Sequence, residues 1–378
     1  MKVLYLAGMY PTPNTPQHGI FCHEQVRSLV KAGCDVEVIV PLPFYSCGNT
    51  PRHWELDGIT IQYVRYFKVP GTFMFEYCGL MLYYALKQMI DFKKFDLIHS
   101  DTALPTGYAA MLLSRKYHIP YIVHCHGLDV FLEESYQTRL NVSKIKKTCM
   151  KVYENANVII CVSEKVKWKL KELHLNYKIQ VIYNGVDPKR FYPGEKIKKD
   201  ELIILTIGNL IAIKGHEYTL RAFQMLVNNG IDSAKLVIIG KGSEELFLKK
   251  LAIELGIIDK VIFRGYIPYE EVAQELRNSD IFVLPSYYEA LGCVYLEAMA
   301  SGIPAVGCFG NGIDEIIQDR VNGMLVRPQN VHDLYNCLKE LVVNKTLKEG
   351  IAQKGLETVR TMYTWDDSAK NLLNLYQK

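Results

Sequence analysis

Two glutamates with seven residues between them, Glu289 and Glu297, follow the strand-length apolar run DIFVLPS. This pattern predicts a strand, a turn and a helix that begins between the two carboxylates. A helix start presents unpaired backbone N–H groups and the positive end of the helix dipole, so it can hold a diphosphate. The residues predicted to do so are Leu291, Gly292, Cys293 and Val294.

Each glutamate is expected to meet a different part of the same ligand. Glu297 should lie about one turn into the helix, where its carboxylate can accept hydrogen bonds from ribose hydroxyls. Glu289 should lie in the loop and face a hexose. Taken alone, Glu289 would be a solvated loop residue and Glu297 a charge on a helix surface. The Pro-Ser turn and the Ala-Leu-Gly helix start favour a binding site instead.

A second candidate residue is Lys214, in the segment TIGNLIAIKGHEYTL. The predicted strand ends at Gly208, and Lys214 and Gly215 come just before a predicted helix. An ammonium group there can stabilise the charge that develops on a departing nucleoside diphosphate. The spacing Gly-x-x-x-x-Gly-Lys-Ser/Thr is missing, so the segment is not a Walker motif. The alternative interpretation is an exposed lysine in a turn.

The first half of the chain contributes His126 and Gly19. The segment YIVHCHGLDV predicts a strand that ends near His126, whose imidazole can donate a hydrogen bond to a sugar hydroxyl. The neighbouring His124 is predicted to point the other way along the strand, as a core histidine with satisfied hydrogen bonds. Gly19 is predicted at the start of a helix, where its N–H can contact phosphate. A helix start without a ligand is the alternative.

The elements that must position these residues alternate along the whole chain. Strand-length apolar runs are followed by helix-length amphipathic segments, which predicts an α/β architecture of parallel sheets and crossover helices. A first series contains KVLYLAG, DVEVIVP, ITIQYVRY, FDLIHS, PYIVHCH and NVIICVS, and a second contains LIILTIGN, AKLVIIGKG, KVIFRGY, DIFVLPS and IPAVGC. Ligands of such sheets bind beyond the carboxyl ends of the strands. Two sheets facing one another would therefore leave a cleft lined by strand-end loops.

The polar segment PKRFYPGEKIKKDEL lies between the two series and predicts an interdomain linker. We therefore expect an N-terminal domain at 1–187 and a C-terminal domain at 188–360. The stretch from Leu347 to Gln377 is predicted to be helical, and its last part, 361–378, can pack back on the first domain.

Composition and motifs exclude several classes of protein. Apolar residues make up 49% of the chain and charged residues 22%, the balance of a folded globular protein. The ten cysteines show no Cys-x-x-Cys pair, which indicates reduced thiols in a cytosol. No Gly-x-Gly-x-x-Gly follows the first strand, which disfavours a nicotinamide dehydrogenase. No Asp-x-Asp occurs, which argues against a divalent metal that holds a sugar nucleotide.

Charge and hydropathy point to a peripheral membrane contact. The apolar segment Phe73–Met89 is interrupted by Glu76 and Lys87, so it is too short to span a bilayer. Residues 1–190 hold 23 Lys and Arg against 16 Asp and Glu, whereas residues 191–378 hold 21 against 24. A modest excess spread in this way suits an anionic membrane rather than a nucleic acid.

Two lysine-rich runs of the basic half, KIKKTCMK at 144–151 and VKWKLK at 166–171, are the candidates for that contact. Two solvated helix faces are the alternative interpretation. Trp168 can seat its ring at the level of the lipid headgroups, and a buried core tryptophan is the alternative for this residue.

Together these motifs resemble glycosyltransferase family four, the retaining transferases of the GT-B fold, over essentially the full length of the chain. The resemblance implies two Rossmann-like domains whose parallel sheets face one another across a cleft. It implies that Glu289 contacts the donor sugar, that Glu297 contacts ribose, and that the helix start at 292–294 contacts phosphate. The opening YPTPNTPQHGIFCHEQVRSL is similar to transferases that build teichuronic acid and other bacterial surface polysaccharides.

The resemblance also assigns Lys214 as the phosphate lysine, His126 to a His-Gly-x-Asp loop and Gly19 to an N-terminal glycine loop. Many relatives carry Arg before the loop that leads to the phosphate lysine, whereas this chain has Asn209. Asparagine still donates hydrogen bonds but carries no charge. Asn209 is therefore included among the predicted donor-binding residues.

The predicted function is transfer of a hexose or N-acetylhexosamine from a UDP- or GDP-sugar to a glycan or lipid-linked acceptor, with retention at the anomeric carbon. His126, Lys214 and Glu289 are the predicted catalytic residues. No metal or bound cofactor is implied, and the sugar nucleotide is a co-substrate. No carboxylate is clearly placed as a covalent nucleophile, which favours front-face attack.

Two other functions remain open, a sugar-nucleotide epimerase with the same fold and a non-catalytic nucleotide-sugar-binding partner of another transferase. The predicted location is cytoplasmic, with peripheral contact on the inner face of the plasma membrane, and no nucleic-acid partner is expected.

Overall fold

The computed structural model describes residues 1–69, 74, 77–127, 130–131, 142–172, 175, 178–195 and 201–377. The chain divides into two compact units. Unit 1 contains Met1–Asn184 and Trp365–Lys378, and unit 2 contains Gly185–Thr364. The expected boundary after residue 187 therefore lies three residues beyond the observed one. Residues 196–200 of the predicted linker lie outside the described residues.

Unit 1 is built on an eight-stranded sheet with the order β3-β4-β2-β1-β5-β6-β7-β8. Its strands are β1 (Lys2–Leu6), β2 (Asp35–Pro43), β3 (His53–Leu56), β4 (Ile59–Tyr66), β5 (Leu97–Ser100), β6 (Tyr121–Cys125), β7 (Val158–Cys161) and β8 (Ile179–Val181). The central strands are continuous apolar runs, as expected for strands covered on both faces. Val3, Leu4, Tyr5 and Leu6 of β1 are all fully buried.

The edge strand β3 departs from the predicted parallel sheet. It pairs with β4 in antiparallel register, with Leu56 opposite Ile59, whereas the other strand pairs of this sheet are parallel. The two strands are joined by Asp57-Gly58, a favoured two-residue turn of a β-hairpin. This dipeptide is the local signal for the hairpin in the sequence.

Six helices of unit 1 cover the sheet within the described residues. They are α1 (Ile20–Lys31), α2 (Cys78–Met89), α3 (Tyr108–Tyr117), α4 (Val142–Asn155), α5 (Glu164–Lys171) and α12 (Trp365–Tyr376). Helix α1 packs against α12, and α2 packs against α3, which in turn contacts α4. Among the described residues, no helix has both the length and the apolar character needed to cross a bilayer.

Unit 2 has a six-stranded sheet, parallel throughout, with the order β11-β10-β9-β12-β13-β14. The strands are β9 (Leu202–Ile207), β10 (Ala234–Ile239), β11 (Val261–Gly265), β12 (Ile281–Val283), β13 (Ala305–Cys308) and β14 (Met324–Val326). Counted from β9, the order is 3-2-1-4-5-6, that of the doubly wound nucleotide-binding fold. The order reverses between β9 and β12, and ligands of such folds bind at that point.

The helices of unit 2 are α6 (His216–Asn228), α7 (Glu245–Glu254), α8 (Tyr269–Arg277), α9 (Cys293–Ala300), α10 (Val331–Val343) and α11 (Lys345–Met362). Asparagine caps start two of them, because the side chains of Asn330 and Asn344 accept hydrogen bonds from backbone N–H groups of the first turn. The two sheets and their crossover helices match the predicted pair of Rossmann-like domains.

The helical C-terminal stretch is two helices rather than one. Helix α11 ends at Met362 and α12 begins at Trp365. Between them, Thr364 forms an isolated parallel bridge with Val186, in which the carbonyl of Tyr363 accepts a hydrogen bond of 2.9 Å from the N–H of Val186. Helix α12 belongs to unit 1, where Ala369 and Leu372 pack in an apolar cluster with side chains of β1, β5, β6 and β7.

Leu372 allows the contribution of α12 to be measured, because its side chain is fully buried in that cluster. Leu372→Ala should destabilise unit 1 by about 2–5 kcal/mol, the usual cost of such a cavity. Asn371→Ala, on the exposed side of the same helix, is the matched control and should change stability by less than about 0.5 kcal/mol. Denaturant unfolding measures both. Equal stability of the two variants would contradict the packing of α12 on unit 1.

Candidate functional site

The candidate site of unit 2 is formed by the loops after β9 and β12, the two strands at the switch point of the sheet. The loop after β9 contains a short turn, Ala212–Lys214, and leads into α6. The loop after β12 leads into α9. The backbone N–H of Tyr287 donates to the carbonyl of Ile213 at 3.0 Å, so the two loops are tied together.

Lys214 and Glu289 form an ion pair across these loops, in which the Lys214 ammonium donates to Glu289 Oε2. The side chains are only 18% and 14% exposed, respectively. The alternatives of an exposed turn lysine and a solvated loop glutamate are therefore wrong. The structure brings two of the three predicted catalytic residues into contact, although 75 positions separate them in the sequence.

The Glu289 loop is held from its other side by Asn311. The Asn311 side chain accepts a hydrogen bond from the Glu289 N–H at 2.9 Å and donates one to the Ser286 carbonyl at 2.8 Å. The next residue, Gly312, lies so close to the loop that a Cβ would stand 1.8 Å from the Ala290 carbonyl oxygen. These contacts fix the backbone on both sides of the Glu289 carboxylate.

Helix α9 begins where the sequence predicted it. Gly292 precedes its first residue with φ of 82°, and a Cβ there would meet the ring of Tyr295 at 2.6 Å. Leu291 is buried, whereas Gly292, Cys293 and Val294 are partly exposed. The N–H groups of a first helical turn have no intrahelical acceptor, so this helix start can receive an anion.

Glu297 lies in the second turn of α9 and is 7% exposed, so it is not a charge on the helix surface. Its Oε1 accepts a hydrogen bond of 2.9 Å from the hydroxyl of Tyr269, the first residue of α8. The ring of Tyr269 is in turn covered by the Arg190 guanidinium at 4.8 Å. A buried carboxylate that is oriented in this way has a fixed position from which to accept further hydrogen bonds.

Asn209 lies at the end of β9 and is exposed. Its carbonyl is 3.2 Å from Nε2 of the buried His216, at the start of α6. Burial lowers the pKa of His216 to about 4, while the bond to Asn209 opposes this shift and the Lys214 charge adds to it. His216 is therefore neutral near pH 7 and links Asn209 to the helix that follows Lys214.

In unit 1, the loop after β1 is held by a buried carboxylate from the loop after β5. Asp101 accepts hydrogen bonds from the N–H groups of Gly8 at 2.6 Å and Met9 at 3.1 Å. Gly19 precedes α1 with φ of 68°, and a Cβ there would lie 2.4 Å from the Met9 carbonyl carbon. Only glycine fits that approach.

His126 follows β6 and packs against the first turn of α1. Its ring is 4.8 Å from that of Phe21, and its Nε2 lies 4.0 Å from Cys22 Sγ. The structure thus places His126 beside the first turn of the helix that Gly19 precedes. Burial lowers the pKa of His126 to about 3, so the imidazole is neutral and can both donate and accept. Leu128 and Asp129 of the predicted His-Gly-x-Asp loop lie outside the described residues.

The expectation for His124 was wrong in two respects. Its ring stacks on that of His126 at 4.4 Å, because residues two apart on a strand point to the same face. Although it is fully buried, neither ring nitrogen has a hydrogen-bond partner. Beyond it lies His99, whose Nδ1 is 2.5 Å from the hydroxyl of Tyr376 in α12.

Sequence reasoning missed several residues that position the site: Asp101, Tyr269, Asn311 and Gly312. The Gly-Asn-Gly loop after β13 and the aspartate after β5 were available signals, since polar residues after parallel strands line the binding edge. Tyr269 had no comparable signal. Within the part of the chain that the structure describes, no group of three or more His, Cys, Asp or Glu side chains could hold a metal ion.

Comparisons with known proteins agree with this architecture. Residues 19–190 match the family described as Glycosyltransferase Family 4, and residues 187–358 match Glycosyl transferases group 1. The chain is 26% identical to the "Putative teichuronic acid biosynthesis glycosyltransferase TuaC" of Bacillus subtilis, over 100% of this chain and 98% of that one.

Two solved structures have the same fold. Sucrose-phosphate synthase from Thermosynechococcus elongatus has a TM-score of 0.84 at 21% identity, over 100% of this chain and 98% of that one. Anabaena HepE in complex with UDP and glucose has a TM-score of 0.78 at 16% identity, over the whole of both chains. The fold is thus that of the GT-B glycosyltransferases. The chain belongs to glycosyltransferase family four.

Asn311 provides a test of how the Glu289 loop is held. Asn311→Ala removes both hydrogen bonds and should destabilise unit 2 by about 1–3 kcal/mol. Asn229→Ala is the matched control, because Asn229 is exposed and its side chain bonds to a carbonyl of its own helix. Thermal and denaturant unfolding measure the difference. If Asn311→Ala is as stable as the control, the loop does not depend on this side chain.

Proposed function

We propose that this protein transfers a hexose or N-acetylhexosamine from a UDP- or GDP-sugar to a glycan or lipid-linked acceptor, with retention at the anomeric carbon. The observation that carries the proposal is the Lys214–Glu289 ion pair beside the start of α9, with Glu297 buried one turn further along. The ammonium, the start of α9 and the two carboxylates all belong to the segments that follow β9 and β12, the strands at the switch point. A sugar nucleotide has the complementary groups.

Each residue has a distinct role in this mechanism. The N–H groups at 292–294 and the Lys214 ammonium would bind the diphosphate and stabilise its charge as the bond to the anomeric carbon breaks. Glu297 would accept hydrogen bonds from the ribose, and Glu289 from hydroxyls of the donor sugar. His126, in unit 1, is neutral and can donate a hydrogen bond to a sugar hydroxyl. The acceptor oxygen forms the new bond on the same face, and its proton passes to the departing phosphate oxygen.

Similar proteins support the choice of substrates. HepE has been solved with UDP and glucose, which supports a uridine sugar nucleotide as the first donor to test. The name of TuaC supports an acceptor in bacterial surface-glycan synthesis. The basic N-terminal half supports work at the cytoplasmic face of the plasma membrane, where lipid-linked acceptors lie beside anionic headgroups.

The two glutamates should be separable by kinetics. Glu297→Gln should raise the dissociation constant for the donor nucleotide about tenfold or more, since hydrogen bonds to charged groups contribute about 1.5–3 kcal/mol. Glu289→Gln should lower kcat more than it weakens nucleotide binding, because this carboxylate acts at the reacting sugar and orients Lys214. Calorimetry with UDP and GDP, together with initial rates, measures both.

Glu275→Gln is the matched control for these variants, because Glu275 is a partly buried glutamate of α8 that pairs with Arg264 at 3.2 Å. It should keep normal kinetics. Wild-type kinetics in both Glu289→Gln and Glu297→Gln would show that the paired-glutamate assignment is wrong.

The reaction should not require a divalent cation. If Lys214 and the helix N–H groups hold the diphosphate, then transfer from labelled UDP- or GDP-sugars to a membrane lipid extract should continue in excess EDTA. The label in the product and the configuration of the new linkage are the measurements. Activity that is lost in EDTA and restored by magnesium would refute the metal-free mechanism.

The same assay distinguishes the two alternative functions. Isomerised donor without transfer would indicate an epimerase, and binding without turnover would indicate a non-catalytic partner.

A further inference from the structure

Helix α2 has a second apolar face that points to solvent. One face is buried against the fold and contains Cys78, Gly79, Leu82 and Leu86. On the outer face, Tyr77, Met81 and Tyr84 are 49%, 37% and 46% exposed. Their spacing of four and three residues aligns them in one stripe along the helix. Ordinary surface helices carry polar residues at such positions, so this stripe calls for a partner.

The neighbouring helices extend this surface with positive charge. Gly79 lets α2 approach α3 closely, since a Cβ there would stand 2.5 Å from Cβ of Tyr108. The ammonium of Lys151, in α4, lies 5.8 Å from the centre of the Tyr108 ring. On α4, Lys144, Lys147 and Lys151 are all exposed at spacings of three and four, which forms a basic stripe.

The charge of unit 1 is concentrated on this side of its sheet. Helices α2, α3 and α4 together hold seven Lys or Arg and one acidic residue, Glu154. Helices α1 and α12, which pack together elsewhere on unit 1, hold three basic and three acidic residues. The basic excess of the N-terminal half is therefore not distributed evenly. Helices α2–α4 carry seven basic residues and one acidic residue beside the exposed apolar stripe, and α5 adds four lysines and one glutamate.

Helix α2 also begins at the carboxyl-end edge of the unit 1 sheet, the edge that carries the loops of Gly19 and His126. Tyr66 ends β4 and lies near Cys78, the first residue of α2. Burial raises the pKa of Tyr66, and Cys78 and Tyr45 add smaller contributions in the same direction. Because β4, β2 and β1 run parallel, the carboxyl end of β4 is at the same edge as the loop that approaches Gly19. The apolar stripe of α2 therefore begins at the edge of unit 1 where we propose that an acceptor binds, and it continues along the helix from there.

We propose that the outer surface of α2–α4, defined by Tyr77, Met81, Tyr84, Lys144, Lys147 and Lys151, docks on a bilayer that contains anionic lipid. Tyrosine rings and methionine would enter the interfacial region, and the lysines would contact phosphate headgroups. A bilayer with anionic lipid offers an apolar interior and negatively charged headgroups, which match the separate apolar and basic stripes. A protein partner would not require that the two kinds of side chain be separated. The proposal rests on the proposed function, because docking would bring a lipid-linked acceptor to the carboxyl-end edge of the unit 1 sheet.

Two sets of variants test the surface. Met81→Ser with Tyr84→Ser removes most of the apolar stripe, and Lys144→Glu with Lys147→Glu and Lys151→Glu reverses the basic stripe of α4. The matched controls are in unit 2. Leu246→Ser with Ile253→Ser removes two exposed apolar side chains of α7, and Lys250→Glu, Lys345→Glu and Lys354→Glu reverse three exposed charges. Thermal unfolding checks that each variant is folded.

Cosedimentation of the full chain with vesicles of phosphatidylglycerol and phosphatidylcholine is the measurement. Wild type should bind at low salt and be released by high salt, with little binding to phosphatidylcholine alone. The apolar variant should bind about tenfold more weakly. The charge variant should lose about fivefold or more per lysine, while both controls bind like wild type. These outcomes together support the proposal.

Other outcomes would overturn it. These are equal binding to neutral and anionic vesicles, absence of binding at low salt, or an apolar variant that binds like wild type. A change of oligomeric state in the apolar variant without a change in vesicle binding would assign the stripe to a second copy of the chain instead. Transfer from labelled UDP- or GDP-sugars to the membrane lipid extract, dissolved in detergent, is measured in parallel. Absence of transfer by the wild type would refute the proposed function. Transfer by variants that do not dock would show that catalysis does not depend on docking.

Discussion

The ion pair between Lys214 and Glu289 depends on the order of strands in the sheet of unit 2. Each residue lies in a loop that leaves the carboxyl end of a parallel strand, and β9 and β12 are neighbours although two strands and three helices separate them in the sequence. The loop after β9 contains only one short 3-10 turn, Ala212–Lys214, and a backbone hydrogen bond from Tyr287 to Ile213 joins it to the loop after β12. Because both side chains are largely shielded, the pair is screened by water less than a surface salt bridge. The pair therefore joins the loop before α6 to the loop before α9.

In unit 1, too, a side chain from one strand-end loop holds a neighbouring loop in place. There, the buried carboxylate of Asp101 binds two backbone N–H groups of the loop after β1, much as Asn311 binds the backbone around Glu289 in unit 2. In both cases a short polar side chain from one strand end satisfies the backbone of a neighbouring loop. Buried backbone groups require such partners, since an unpaired N–H or carbonyl is costly away from water. Glycine then supplies the close approaches at Gly19 and Gly312.

A stack of histidines connects the residue after β6 to the last helix of the chain. His126, His124 and His99 follow one another in ring contact, and His99 meets the hydroxyl of Tyr376 in α12. Burial lowers the pKa of all three imidazoles, so they are neutral at physiological pH. Neutral rings can stack in a core without repulsion between charges. The last helix therefore supports the strand end that carries His126, although the whole of unit 2 lies between them in the sequence.

The sequence by itself determined most strands but not β3, most crossover helices, the two-domain α/β architecture and the start of α9, because these follow from local periodicity and helix-start chemistry. It also selected Lys214, Glu289 and Glu297 as candidates. Only the tertiary structure decided which of them touch, since contact between loops depends on strand order rather than on spacing along the chain. It showed Trp168 to be 63% exposed, so the buried-core alternative was wrong. It also decided which apolar face of α2 is buried, because a helix that is apolar on two sides does not specify in its pattern which side meets the sheet.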